Sequence, residues 1–125
     1  MLNAGGYSAQ VSALYRDAPG AGRPAGPGWV SAEAREPLSG THVRWHLRAV
    51  AGRAELRYEV RGCPHTIAAT AAAAAALSGR PAEALELDIA ALATELGVPR
   101  EKLGRLFVIQ DAIRKAALLL QAPRP

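Results

Sequence analysis

The chain has 125 residues, of which 50% are hydrophobic, and its formal net charge is +4 at pH 7. This length predicts one domain over residues 1–125, and the apolar content excludes a chain that is disordered throughout. The basic residues are mixed with acidic ones and accompany no groove-reading motif, so we expect no nucleic-acid partner. No segment has the pattern of a signal peptide or a membrane span, which predicts a cytoplasmic protein without membrane contact.

The first third of the chain predicts a helix, a loop and a strand. Four residues at helical spacing predict a short amphipathic helix that ends before Pro19. They are Tyr7, Val11, Leu14 and Tyr15. The density of glycine and proline in Pro19–Gly28 predicts a loop, and Trp29–Arg35 predicts a short edge strand.

Two segments of alternating hydrophobicity, Thr41–Val50 and Ala54–Arg61, predict strands that a tight turn at Ala51-Gly52 joins as a hairpin. The resulting register places Trp45 opposite Tyr58 and pairs opposite charges on the other face. The charged pairs are Arg44 with Glu59 and Arg48 with Glu55. A shift of one residue would lose both kinds of pair, which supports this register.

The two faces of the hairpin have different expected environments. One face should be buried under the helices, and its residues are Val43, Trp45, Leu47, Leu56, Tyr58 and Val60. The charged residues Arg44, Arg48, Glu55 and Glu59 should be exposed on the other face. His42 and His46 also lie on that polar face. They could bind a metal ion, but a solvated strand face is the interpretation that we favour.

Three helices are predicted after the hairpin. The alanine-rich segment after Cys63 should form the first and stop at Gly79. The second should end at Gly97, with a buried stripe of Leu85, Ile89, Leu92 and Leu96. The third should bury Leu103, Leu106, Ile113, Ala117 and Leu120, and the tail Gln121–Pro125 should fray. This order of elements predicts an α+β fold with helices on one face of a small antiparallel sheet.

Cys63 is the only cysteine, which excludes an internal disulfide and a four-cysteine metal site within the chain. It lies where a strand ends and a helix begins, and Pro64 suits the first turn of that helix. The free N–H groups and the positive dipole end of a helix favour a thiolate, so a partly accessible thiol with a lowered pKa is one interpretation. The other interpretation is a small buried residue that fills the corner.

The segment Tyr58–Thr70 resembles the sequence around the central cysteine of the iron–sulfur cluster assembly scaffold family, the IscU/NifU N-terminal domain-like proteins. Further segments are similar to that family in the same order, from about Tyr7 to Leu120: Tyr7–Pro19, Leu77–Arg80, Glu83–Leu85, Val98–Leu103 and Asp111–Ala116. The resemblance implies three strands in the sheet. It also implies that the loop with Val98, Pro99 and Lys102 contacts a chaperone, and that a cysteine desulfurase is a partner.

The family's assembly site contains three cysteines, an aspartate and a histidine. By this resemblance Cys63 is the central cysteine, whereas Ser39 and Thr41 stand at the first cysteine and the aspartate. Gly104 and Arg105 stand at the histidine–cysteine pair, so every matched position except Cys63 has lost its ligand type. Because a simple cluster normally needs four ligands, we expect no stable cluster on the monomer. Arg105 would instead stabilise a thiolate or a persulfide if it lies near Cys63.

His65 is the one additional candidate ligand. Cys63 and His65 could offer sulfur and nitrogen to one metal ion, and two chains together would supply four ligands. A histidine at such a position more often caps a helix or faces water.

Three hypotheses for the function follow, and none of them is an enzyme. The first is a family member with a degenerate site that acts in cluster assembly or sulfur handling, with iron or an iron–sulfur cluster at Cys63. The second is a persulfide carrier that uses Cys63 and needs no metal. The third is a binding module that kept the fold without the chemistry. The sequence leaves the oligomeric state and the partner open.

Overall fold

The computed structural model describes residues 7–122, and its strands form one antiparallel sheet in the order β1-β2-β3. The elements in chain order are α1 (Ala9–Asp17), β1 (Val30–Glu36), β2 (Thr41–Val50), β3 (Arg53–Arg61), α2 (Pro64–Leu77), α3 (Ile89–Leu96) and α4 (Leu103–Gln121). A 3₁₀ turn, Arg100–Lys102, leads into α4. This is the α+β fold with a three-stranded antiparallel sheet that the sequence predicts.

The hairpin has the predicted register, with Trp45 opposite Tyr58 and the charged pairs aligned as expected. Its two-residue turn has positive φ at both positions, 53° at Ala51 and 77° at Gly52. Such a turn matches the right-handed twist of the strands that it joins. The segment predicted as an edge strand is β1, which pairs along its whole length with β2.

Local capping determines where the short helices begin. The Ser8 hydroxyl accepts a hydrogen bond from the Val11 N–H, 3.1 Å away, at the start of α1. Asp88 does the same for Ala91 at the start of α3. The predicted second helix is therefore shorter than its apolar stripe, because Leu85 precedes the cap, although Leu85 is still buried.

The core lies between one face of the sheet and the helices α2 and α4. Trp45 and Tyr58 are fully buried there, with ring centroids 5.6 Å apart in an edge-to-face arrangement. The Trp45 indole N–H donates to the Ile109 carbonyl of α4 over 3.2 Å, which ties α4 to β2. The small alanine side chains of α2 are largely buried, which lets that helix approach the sheet closely, and α1 packs on α2.

Several predictions about burial were only partly right. Leu56 and Val60 are half-buried, because β3 is an edge strand and the helices cover it incompletely. Leu103 and Leu120 are also half-buried, since they lie at the two ends of α4. The charged side chains of the opposite face are partly rather than fully exposed, because they form ion pairs. Arg44 pairs with Glu33 of β1 and Arg48 with Glu55 of β3, whereas Glu59 pairs with Arg23 of the loop before β1.

The prediction that His46 is solvated was wrong. His46 is 5% exposed, although it lies on the polar face of β2. Its Nδ1 lies 2.6 Å from the Ser31 hydroxyl of β1, and its Nε2 lies 2.9 Å from the Glu59 carboxylate of β3. Because β2 is the middle strand, side chains from both neighbours cover the ring.

The C-terminal end of the described region is ordered further than predicted. Gln121 is the last residue of α4, and its side-chain amide donates to the Ala82 carbonyl over 3.5 Å. The remainder of the predicted frayed tail, residues 123–125, lies outside the described residues. None of the helices between residues 7 and 122 is long and apolar enough to cross a membrane.

Candidate functional site

Cys63 lies where three segments of the chain meet. Gly62 and Cys63 link β3 to α2, the β1–β2 loop and the first residue of β2 contribute Ser39 and Thr41, and the first turn of α4 contributes Arg105. Thr41 is fully buried against this junction. We call Cys63 together with Thr66, Lys102 and Arg105 the Cys63 site.

The thiol is at the N-cap of α2 and is partly exposed. Its Sγ lies 3.5 Å from the Thr66 hydroxyl. Burial by itself raises the pKa of the Cys63 thiol, but hydrogen bonds from the Thr66 hydroxyl and N–H and from the Arg105 guanidinium act in the opposite direction, as does the charge of Lys102. The net result is a Cys63 pKa below the usual value, which gives a larger fraction of thiolate than an ordinary cysteine has at the same pH.

Gly62 allows the chain to pass close to the first turn of α2. Its φ lies outside the left-handed region. A Cβ at this position would lie 3.3 Å from the Thr66 Cβ and 3.6 Å from the Thr41 Cγ2. A side chain here would crowd Thr66 in the first turn of α2, which would have to shift by a few tenths of an ångström, whereas the distance to Thr41 is an ordinary van der Waals contact.

Lys102 is a member of the site that the sequence does not reveal, since its position indicates only a partner-binding loop. Its ammonium lies 3.0 Å from the His65 Nδ1 and 5.3 Å above the Tyr7 ring. Since an ammonium group has no acceptor, Nδ1 must accept this hydrogen bond, and the ring proton of neutral His65 is on Nε2. No periodicity in the sequence indicates this contact.

His65 neither caps the helix nor faces water, which corrects both of the alternatives that we considered most common. It is 5% exposed, and its ring packs edge-to-face on Tyr7 at 4.7 Å. Burial lowers the pKa of His65, and the charges of Lys102 and Arg105 lower it further. With Lys102 on Nδ1, His65 does not present that nitrogen to a metal ion beside Cys63.

Ser39 and Thr41 lie together, with their hydroxyl oxygens 2.8 Å apart. The Ser39 hydroxyl and N–H both donate to the Glu36 carboxylate, and the Leu38 N–H donates to its other oxygen. The two hydrogen bonds from Ser39 are the main reason that the pKa of Glu36 is lowered, and the Arg105 charge adds to them. The positions matched to metal ligands thus carry hydroxyl groups that hold the loop.

A shallow groove of about 310 Å³ adjoins these residues. Its lining brings the β1–β2 loop together with the first turn of α4, and consists of Glu36, Leu38, Ser39, Glu101, Gly104 and Arg105. Leu38, at the tip of the loop, is almost fully exposed. The structure therefore brings together Ser39, Thr41, Cys63, Gly104 and Arg105, the positions that the family resemblance equates with its assembly site.

The side chains at this site do not fit an iron–sulfur cluster. Within residues 7–122 no group of three or more His, Cys, Asp or Glu side chains could hold a metal ion. Simple clusters are bound by four cysteines, or by two cysteines and two histidines. Here one thiol is accompanied by two cationic side chains, which would repel a bound cation.

Comparisons with known proteins identify the family and the fold of the chain, although not the chemistry of its site. The family model of the NifU-like N terminal domain matches residues 7–122. The chain belongs to this NifU-like family. The resemblance identified from the residues around Cys63 is therefore confirmed. No curated protein sequence matches this member of the family.

Two solved structures have the same fold as this NifU-like chain. One is named as a candidate iron–sulfur cluster assembly scaffold protein for the SUF system from the thermophilic Fervidobacterium islandicum AW-1, with a TM-score of 0.72 and 14% identity, covering 89% of this chain and 96% of that chain. The other is a nitrogen-fixing NifU-like protein (N-terminal) from Brucella abortus, with a TM-score of 0.70 and 15% identity, covering 92% of this chain and 95% of that chain. Identities this low establish the fold alone.

Proposed function

We propose that this NifU-like protein acts in iron–sulfur cluster assembly as a carrier of sulfur on Cys63. The main support is the environment of Cys63, where Arg105 and Lys102 stand beside a thiol with a lowered pKa. A thiolate is the nucleophile in sulfur exchange, and positive charge stabilises both it and a persulfide anion. The family and the fold support the wider process of cluster assembly.

The transfer needs only thiol–disulfide type exchange. The Cys63 thiolate attacks the outer sulfur of a persulfide on a donor protein. A sulfur–sulfur bond forms at Cys63, the bond within the donor persulfide breaks, and the donor leaves as a thiolate with the electron pair. An acceptor thiolate removes the outer sulfur from Cys63 by the same exchange. Each transfer is redox-neutral and requires no metal ion.

The surrounding residues have separate roles in this proposal. Arg105 and Lys102 stabilise the anionic sulfur, and Thr66 orients it through its hydroxyl, 3.5 Å away. His65 holds the Lys102 ammonium near the thiol. The protein acts as a stoichiometric carrier and not as an enzyme. Its donor would be a cysteine desulfurase, and the loop with Val98, Pro99 and Lys102 would contact a chaperone.

The experiment is sulfur loading followed by intact-mass measurement. The purified protein is incubated with a cysteine desulfurase and cysteine, or with glutathione persulfide as a small donor. We expect a mass gain of one sulfur atom that is removed by reductant and absent in Cys63→Ser. A gain that persists in Cys63→Ser, or no gain from either donor, would contradict the proposal and favour the binding-module hypothesis.

Anaerobic incubation of the monomer with iron and sulfide tests the alternative of a cluster-binding scaffold. We expect no stoichiometric cluster, because Ser39, Thr41, Gly104 and Arg105 stand at the matched ligand positions. Stoichiometric iron and sulfide on the monomer, together with the visible charge-transfer bands of a cluster, would replace sulfur carriage by direct scaffolding.

A further inference from the structure

A row of three basic side chains crosses the open face of the sheet beside the Cys63 site. Arg35 of β1 is directly opposite His42 of β2, which is directly opposite Arg61 of β3. All three lie on the face that the helices do not cover. Arg35 and Arg61 are exposed, and Arg61 is two residues before Cys63.

The next row along the sheet shows how unusual this row is. There Glu33, Arg44 and Glu59 are opposite one another, so charges alternate across the three strands. Glu33 also contacts the middle residue of the basic row, because its carboxylate lies 2.6 Å from the His42 Nε2. Opposite charges on facing positions stabilise a sheet, whereas like charges there destabilise it.

Arg35 and Arg61 have no such compensation. Within the described part of the chain, neither guanidinium forms an ion pair with a carboxylate. Two unpaired guanidinium groups therefore flank His42 at the end of the sheet that leads to Cys63. Such an excess of positive charge is well suited to bind carboxylates, since arginine binds them in a bidentate manner.

The surface around this row is concave. A groove of about 530 Å³ is lined by Arg35, Pro37, Gly40, His42 and Arg61. The two outer strands are roughly 10 Å apart, which an extended peptide of about three residues can span. The groove therefore suits a short acidic segment, with its carboxylates aligned across the strands.

We propose that this groove docks an acidic segment of the protein that exchanges sulfur with Cys63. This inference rests on the proposed function and adds the chemistry of the partner. A nucleic acid fits less well, because a continuous phosphate backbone leaving the groove along the sheet would meet the carboxylates of Glu33 and Glu59. A short acidic peptide ends before it reaches them.

The first test measures binding of a fluorescent hexaglutamate peptide by anisotropy. We expect saturable binding that weakens as salt is added, and at least about tenfold weaker binding by the double variant Arg35→Glu/Arg61→Glu. Arg53→Glu/Arg57→Glu is the matched control, because it makes the same change in net charge at two exposed positions of β3 that lie opposite Val50 and His46 rather than in the basic row. This control should lose less than about twofold.

Equal binding by the wild type and Arg35→Glu/Arg61→Glu, or an equal loss in Arg53→Glu/Arg57→Glu, would overturn the docking proposal. Tighter binding of a single-stranded oligonucleotide than of hexaglutamate, lost in Arg35→Glu/Arg61→Glu, would overturn the assigned class of partner. An unchanged thermal transition in both variants would show that the substitutions leave the fold intact, as expected at exposed positions.

A second test separates docking from sulfur chemistry. Arg35→Glu/Arg61→Glu should accept sulfur from the persulfide of 2-mercaptoethanol at the wild-type rate, because that donor is small and has no carboxylate that could bind in the groove. Its rate of loading from a cysteine desulfurase, measured below saturation, should fall about tenfold. If the variant loads as fast as the wild type from the desulfurase as well as from the small donor, the docking role is contradicted, and the proposed function is not. Failure of the wild type to load from the desulfurase and from the small persulfides would contradict the proposed function, while hexaglutamate binding would still test the groove.

Discussion

The covered face of the sheet and the Cys63 site are built in different ways. Trp45 and Tyr58 on the covered face come from regular strands, and each has its expected partner on the opposite strand. The Cys63 site collects Cys63, Arg105 and Lys102 from the ends of elements that are distant along the chain. The first region mainly supplies stability, whereas the second brings charges to one sulfur atom.

The difference shows how the two regions depend on each other. Arg105 belongs to the first turn of α4, and α4 is held on the sheet by packing and by the hydrogen bond from Trp45 to Ile109. Damage to the covered face should therefore disturb the Cys63 site. Loss of a charge at the Cys63 site should leave the core intact, because the charged groups lie outside it.

The largest effect should come from Trp45→Ala. This change removes a fully buried indole with its contact to Tyr58 and its hydrogen bond to Ile109. We expect a loss of ~3–5 kcal/mol in the free energy of unfolding by denaturant, as for other core aromatic truncations. Where the variant is unfolded, the pH dependence of Cys63 alkylation by iodoacetamide should become that of a free thiol, with a pKa of about 8.5.

Trp29→Ala is the matched control for this change. Trp29 is only partly buried, donates to the Ala25 carbonyl over 3.1 Å, and lies 4.7 Å from the Arg48 guanidinium. We expect it to cost about 1 kcal/mol. Similar losses for the two tryptophan variants would mean that the covered and open faces have been assigned incorrectly.

A medium effect should come from Arg105→Leu, which removes a hydrogen-bonding positive charge from Cys63. The pKa of Cys63 should rise, and the rate of alkylation by iodoacetamide near pH 7 should fall roughly threefold to tenfold. The measurement is the alkylation rate across pH, together with the denaturant midpoint. Arg114→Leu, an exposed position further along α4, should leave the pH profile unchanged. If the pH profile of alkylation shifts in both variants, or in neither, Arg105 does not lower the pKa of Cys63.

The smallest effect should be a pH dependence of stability due to His65. Its pKa is lowered in the folded protein, first by burial and then by Lys102 and Arg105. As the pH falls below about 6.5, the usual value for histidine, the unfolded chain binds the proton first. The contribution of neutral His65 to stability is therefore complete above that pH, and it is lost as the pH falls from there through the lower pKa of His65 in the folded protein.

Thermal unfolding between pH 7 and pH 5 would measure this effect. Tm should fall less steeply in His65→Asn than in the wild type, by a few degrees over the range. The decrease of Tm in Lys102→Met should lie between those of the wild type and His65→Asn. This variant removes one positive charge that opposes protonation of His65, but His65 stays buried. Identical pH profiles for wild type and His65→Asn would exclude a contribution from this histidine.

The sequence alone determined the sheet and most of the core. Alternation in Thr41–Val50 and Ala54–Arg61 specifies which side chains share a face, and the complementary charges admit only one register. It did not determine how far each residue is covered. Leu56 and His46 have the expected faces, but their burial depends on whether the strand lies at the edge or in the middle of the sheet.

The family resemblance predicted only some of the residues at the Cys63 site. The matched motifs indicated Cys63 and suggested that Arg105 would lie near it. The contact between His65 and Lys102 joins residues 37 positions apart, and Glu36 holds Ser39 across a loop that has no periodic pattern. Tertiary packing at the start of α4 brings Lys102 to His65, whereas the contact between Glu36 and Ser39 forms within the β1–β2 loop itself. Local propensities act over a few residues, whereas the charges that tune the thiol act through space.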